Sequence, residues 1–151
     1  MDTRMRWAAL FSGVVLAATV PAVAAPPTDA CALLTAAQVS SAVGTTVGEG
    51  KNMGGGFTKT CTWVSEGMMV TLMVQQDTKL FDGGKGALAA SQRSLASGVG
   101  EDAYYLGAGT SALWVKKDAG SFKMSVYTQK LSQDQVKQAE MVLAKQVASK
   151  F

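Results

Sequence analysis

Apolar residues recur at helical spacing towards both ends of the chain and alternate with polar ones in between. Near the start, Leu34-Thr35-Ala36-Ala37-Gln38-Val39 opens a helix: Thr35 caps it, Gln38 returns the hydrogen bond, and Leu34 staples to Val39. Gly44 is its natural stop. The same grammar recurs at Leu131-Ser132-Gln133-Asp134-Gln135-Val136. Val136, Ala139, Leu143, Val147 and Phe151 then fall on one helical stripe. A middle helix is predicted from Gly83 to Ser97, capped by Asp82, with Leu88, Ser91 and Leu95 on one side.

Between these helices the period changes to two. Thr58 to Val64 and Met68 to Gln76 flank Ser65-Glu66-Gly67 and read as a hairpin. Ala103 to Leu106, Ser111 to Lys117 and Ser121 to Thr128 form a second set, turned at Gly107-Ala108-Gly109 and Asp118-Ala119-Gly120. Gly48 to Gly56 reads as a glycine-dense, mobile loop. The order is α-β-β-α-β-β-β-α. Hairpins dominate, so the prediction is an α+β fold: an antiparallel sheet of about five strands with helices packed on one face.

The first residues follow a different pattern. Arg4 and Arg6 precede the uncharged apolar run Trp7 to Thr19, Pro21 breaks it, and Ala22-Val23-Ala24 offers small residues for cleavage. This is the layout of a secretory signal peptide, 1–24, with 25–151 as a single exported domain. A membrane anchor needs about 20 consecutive apolar residues, and this run is shorter. A lipid anchor needs a cysteine at the cleavage point, whereas Cys31 follows Thr28-Asp29-Ala30. The expected location is the bacterial periplasm or the extracellular space.

Composition adds exclusions. The chain of 151 residues is 48% apolar and 17% charged, which is globular. It contains no His, so Ser-His, Cys-His and His-metal chemistry are closed to it. Loss of Arg4, Arg6 and Asp2 takes the net charge from +3 to +2, and Arg93 is then the remaining arginine. Such a surface is no nucleic-acid footprint.

In an oxidising compartment the two cysteines form one bridge, Cys31–Cys61. A redox pair would normally be spaced Cys-x-x-Cys. Because Cys61 must reach Cys31 beside the first helix, alternation assigns the faces. Trp63, Val70, Leu72, Val74, Leu113, Val115, Phe122, Met124 and Val126 face the helices. Thr60, Thr62, Met69, Thr71, Met73, Trp114, Ser125 and Tyr127 face away. That outer surface is rich in aromatics and Met; it is either a binding surface or is covered by the glycine loop.

Cys31-Ala32-Leu33-Leu34-Thr35 before the short helix, Cys61-Thr62-Trp63 in the following strand, and Gly98-Val99-Gly100-Glu101-Asp102-Ala103-Tyr104 entering a later strand form an ordered set. Together they resemble the small cell-envelope domains of unknown function common among actinobacterial lipoproteins. Their pattern is Cys-x-Leu-Leu-Thr, Cys-x-Trp and Gly-Leu-Gly-Asp-x-Ala. The chain departs from it in lacking a lipobox and in carrying Val99 for Leu. The resemblance spans most of 29–151. It implies an extracytoplasmic α+β domain, a disulfide between the motif cysteines, and no enzyme activity.

Other candidate chemistry is thin. Gly83-Gly84-Lys85-Gly86 lacks phosphate-loop spacing and reads as a helix start. Glu101-Asp102 is the one adjacent carboxylate pair and reads as a turn. Met68, Met69 and Met73 suggest Cu(I), but without His they read as packing. Ser121 and Lys123 share a strand face and read as exposed polar residues. No catalytic residue, metal or cofactor is expected.

The expectation is therefore a non-catalytic exported domain that binds a protein or envelope component through the outer sheet face. Met69, Met73, Trp114 and Tyr127 are the candidate contacts, with Lys116 and Lys123 at their border. The alternative is a carrier holding a small apolar or lipid-like ligand between sheet and helices. A hydrolase is the least supported reading.

Overall fold

A computed structural model describes residues 24–107 and 112–151. The proposed signal segment up to residue 23, and the turn and strand start over 108–111, lie outside the described residues. The elements are α1 (Ala36–Val43), β1 (Lys51–Asn52), β2 (Thr58–Ser65), β3 (Met68–Gln75), α2 (Lys79–Ala87), a 3-10 turn (Ala90–Gln92), β4 (Arg93–Ala96), β5 (Asp102–Leu106), β6 (Leu113–Lys117), β7 (Gly120–Thr128) and α3 (Gln133–Ala148). All strands pair antiparallel in one sheet of order β1-β2-β3-β7-β6-β5-β4. The fold is α+β, as the pattern predicts.

Local grammar sets the two outer helices. Thr35 and Ser132 each accept a backbone N–H from the third helical residue, and Gln38 and Gln135 return the bond. Gly44 ends α1 in the left-handed conformation. Both helices pack on one face of the sheet. There Trp63, Val70, Leu72, Val74, Leu113, Val115, Phe122, Met124 and Val126 are each at most 4% exposed, beneath Val39, Leu143, Ala144 and Val147. The nine residues assigned inward by alternation are all in this core. Cys31 and Cys61 are bridged, tying the chain just before α1 to β2.

Three expectations need correction. The sheet has seven strands rather than about five. One added strand, β1, lies in the glycine-dense segment. Gly48 N–H donates to the Val64 carbonyl, Lys51 pairs with Thr62, and Met53 N–H donates to the Thr60 carbonyl. This segment therefore extends the sheet along the β2 edge, in register over 51–53, and touches β2 again one residue out of that register at Gly48.

The second correction is the middle helix. The predicted span Gly83–Ser97 is instead α2 from Lys79 to Ala87, followed by the 3-10 turn and β4. Asp82 lies inside the helix, where its carboxylate accepts from the Thr78 hydroxyl. Gly83, Gly84 and Gly86 each weaken a helix by about 1 kcal/mol relative to Ala, so propensity cannot carry it onward. Residues 93–96 pair with the free edge of β5, and Leu95, expected on the helix's apolar side, is 75% exposed.

The third is that the helices do not share one face. Tyr104, Trp114 and Lys123 are directly opposite one another across β5, β6 and β7, on the side facing away from α1 and α3. Phe81 of α2 packs on Tyr104 with ring centroids 5.1 Å apart, and the Tyr104 hydroxyl donates to the Phe81 carbonyl. The second helix thus covers part of the outer face and makes a small core there.

Candidate functional site

The outer face is read most simply as rows of cross-strand neighbours. One row runs Val64–Met69–Tyr127 across β2, β3 and β7. The next is Thr62–Thr71–Ser125. The third is Thr60–Met73–Lys123–Trp114–Tyr104–Leu95, and the fourth is Thr58–Gln75–Ser121–Lys116–Asp102. Met69 and Met73 are four residues apart, which is about 13 Å along a strand.

This geometry divides the six candidate residues. Met69 and Tyr127 sit side by side, 44% and 61% exposed, and Val64 extends their row at 54%. Val64 shares this face with Thr60 and Thr62 through the same alternation along β2, and it is not among the contacts expected from sequence. The row is a contiguous apolar ridge with a hollow on either side. One, about 400 Å³, adds Ser125, Leu131 and Val136 to Met69 and Tyr127. The other, about 580 Å³, adds Val64, Met68 and Lys130.

Met73, Lys123 and Trp114 form a separate group two rows away. Gln75 donates to the Met73 sulfur, and the Lys123 ammonium lies 5.6 Å from the Trp114 ring centroid. Trp114 stacks on Tyr104, with centroids 6.5 Å apart and planes 8° from parallel. It is half-buried, and its indole N–H is buried without a hydrogen-bond partner among the described residues. Trp114 therefore belongs largely to the minor core under α2.

Lys116 lies one row further on. Its ammonium pairs with Asp82 of α2 at 3.3 Å, and Lys85 pairs with Asp102. Thr78 foremost, then Lys116, hold the Asp82 carboxyl below its ordinary range despite some desolvation. These two crossed pairs lash α2 to β5 and β6. The close fit explains one glycine of the run: a Cβ on Gly84 would come within 2.7 Å of the Tyr104 hydroxyl, whereas Gly83 and Gly86 have open space around them. The Lys among glycines is thus an ion-pair partner in a tightly packed helix.

Two groups beneath the sheet were not foreseen. Glu140 is fully buried and accepts the Val126 N–H at 3.0 Å. Its spacing from Val136 and Ala144 already sets it on the apolar stripe of α3. Tyr105 donates to the Lys137 carbonyl. Burial, with a smaller push from Glu140, raises the Tyr105 phenol to about 12. Burial also raises the Tyr104 phenol.

Among the described residues no group of three or more His, Cys, Asp or Glu is placed to hold a metal ion, and no helix is long and apolar enough to cross a membrane. No protein-family model, no curated protein and no solved structure matches this chain.

Proposed function

We propose that the protein is a non-catalytic exported domain that holds a protein or envelope component against its outer sheet face. The contact centres on Met69 and Tyr127. The observation that carries this reading is the Val64–Met69–Tyr127 ridge: three large apolar side chains, adjacent across three strands and all exposed. Met and Tyr suit such a surface, one by adaptable shape and the other by an apolar body with a polar tip.

Export rests on the N-terminal pattern, and the Cys31–Cys61 bridge supports it because disulfides persist in oxidising compartments. The resemblance to envelope domains points the same way. The interior between sheet and helices is occupied by Trp63, Leu72, Leu113, Phe122, Met124 and Leu143, which favours the face over the interior as the place of binding.

The test is affinity capture from envelope extract, followed by rebinding of each purified partner. Met69→Ala with Tyr127→Ala should abolish rebinding while the melting temperature stays at the parent value, because both side chains are exposed. Trp114→Ala serves as the contrast: it should lower stability by roughly 2–4 kcal/mol through loss of a packed aromatic. Undiminished rebinding by the double variant, or loss of its fold, overturns the reading.

A further inference from the structure

The hairpin that joins β1 to β2 carries a symmetric pattern unrelated to the outer face: Lys51-Asn52-Met53-Gly54-Gly55-Gly56-Phe57-Thr58-Lys59. An apolar residue closes each side of three glycines, and a lysine lies two positions outside each. The fold turns this symmetry into an object. Lys51 lies on β1 and Lys59 on β2, and Met53 N–H donates to the Thr60 carbonyl, so the two arms run side by side up to the glycines. Gly56 is left-handed, and a Cβ on Gly54 would meet the β2 backbone at 2.8 Å. The tip is thus shaped by glycine and presents two side chains, Met53 at 71% and Phe57 at 91% exposure. Phe57 is the most exposed large apolar side chain among the described residues.

We propose that this tip inserts into the headgroup region of an anionic lipid bilayer, with Phe57 and Met53 entering the acyl boundary and Lys51 and Lys59 meeting the lipid charge. A convex pair of apolar prongs has no mould of its own, and neither residue lines any of the hollows described above or the groove of about 770 Å³ between α1 and α3. A bilayer interface accepts such prongs without a preformed pocket. The flanking lysines supply the charge complementarity, each attracted to an anionic leaflet near its surface. Glu49 is the nearest acid in sequence, two positions outside Lys51. At the same end of the sheet, Asp77 is paired with Lys79 and Asp118 with Lys117.

Co-sedimentation of the full chain with vesicles tests this, using phosphatidylcholine alone or mixed in equal parts with phosphatidylglycerol. The chain should partition onto the mixed vesicles. Phe57→Ser should lower that partition roughly tenfold or more. Lys51→Gln and Lys59→Gln should each lower it about fivefold on mixed vesicles and leave neutral ones unchanged. To separate the tip from the apolar run Trp7 to Thr19, Phe57→Trp reports locally. Its emission, less that of the parent, should shift to shorter wavelength and be quenched by brominated phosphatidylcholine. Absence of binding to mixed vesicles, binding indifferent to Phe57→Ser, or an unquenched Trp at 57 overturns the proposal. So does a protein partner whose binding needs Phe57 when the vesicles do not. Met69 and Tyr127 are untouched in every variant, so failure here leaves the outer-face reading standing.

Discussion

Removing the disulfide is the sharpest test of what holds this fold together. The perturbation is Cys31→Ala with Cys61→Ala; alanine is chosen because Cys61 is fully buried and a serine hydroxyl would add a desolvation cost. The bridge closes a loop with a sequence separation of 30. Restricting the unfolded chain by that loop is worth about 3.6 kcal/mol at 25 °C. Folding entropy near 60 °C is about 2.1 cal/mol/K per residue, so over residues 25–151 the melting temperature should fall by about 13 °C. Thermal unfolding by circular dichroism reads this directly. A guanidinium titration of the same variant should show a steeper dependence on denaturant, because the released chain expands further when unfolded. Reduced wild-type protein should match the variant. A fall under about 4 °C with an unchanged denaturant slope would mean that the unfolded chain is already held together over residues 31–61, and loop closure would not be the source of stability.

Two further outcomes follow from particular contacts. Gly100→Ala should destabilise by roughly 3 kcal/mol, since Gly100 is left-handed and a Cβ would lie 2.5 Å from both the Lys116 carbonyl oxygen and a Val115 methyl; a melting temperature equal to the parent's would contradict this, and Gly55→Ala, in open space, is the control. The Tyr105 phenol, raised to about 12 in the fold against 10.0 for the unfolded chain, stays protonated when folded while it ionises when unfolded. Stability should therefore be unaffected by this group below about pH 10 and fall as pH rises from there towards 12. Tyr104 adds in the same direction. Urea titrations across that range should show a shallower loss for Tyr105→Phe, and identical slopes for variant and parent would refute the linkage.

The legible parts of the structure are those with short-range causes. Thr35 with Gln38, and Ser132 with Gln135, spelled out both capping boxes, because a cap is a contact within one turn. Alternation along β2, β3, β6 and β7 assigns nine residues inward correctly, because side chains on a strand have period two and burial acts on one face at a time; Met68, in phase with Val70 and in the same core, is not among the nine. The middle helix expected over Gly83–Ser97 differs from the structure for the complementary reason. Spacing of Leu88, Ser91 and Leu95 suggested a long helix, but the exposed β5 edge offered backbone partners to residues 93–96, and no local signal encodes an edge formed by distant strands.

The candidate site divides along the same line. Sequence alone determined that Met69 and Tyr127 share a face, since alternation fixes which way each side chain points. Tertiary structure alone decided that Trp114 lies beside Tyr104 and that Lys116 is engaged by Asp82, because both depend on where α2 comes to rest. It also decided that Val64, Met69 and Tyr127 meet in one row, because strand register is set by pairing between segments up to sixty residues apart, here Met69 with Tyr127. Period and capping are properties of a few consecutive residues; coverage and register belong to elements brought together from across the chain.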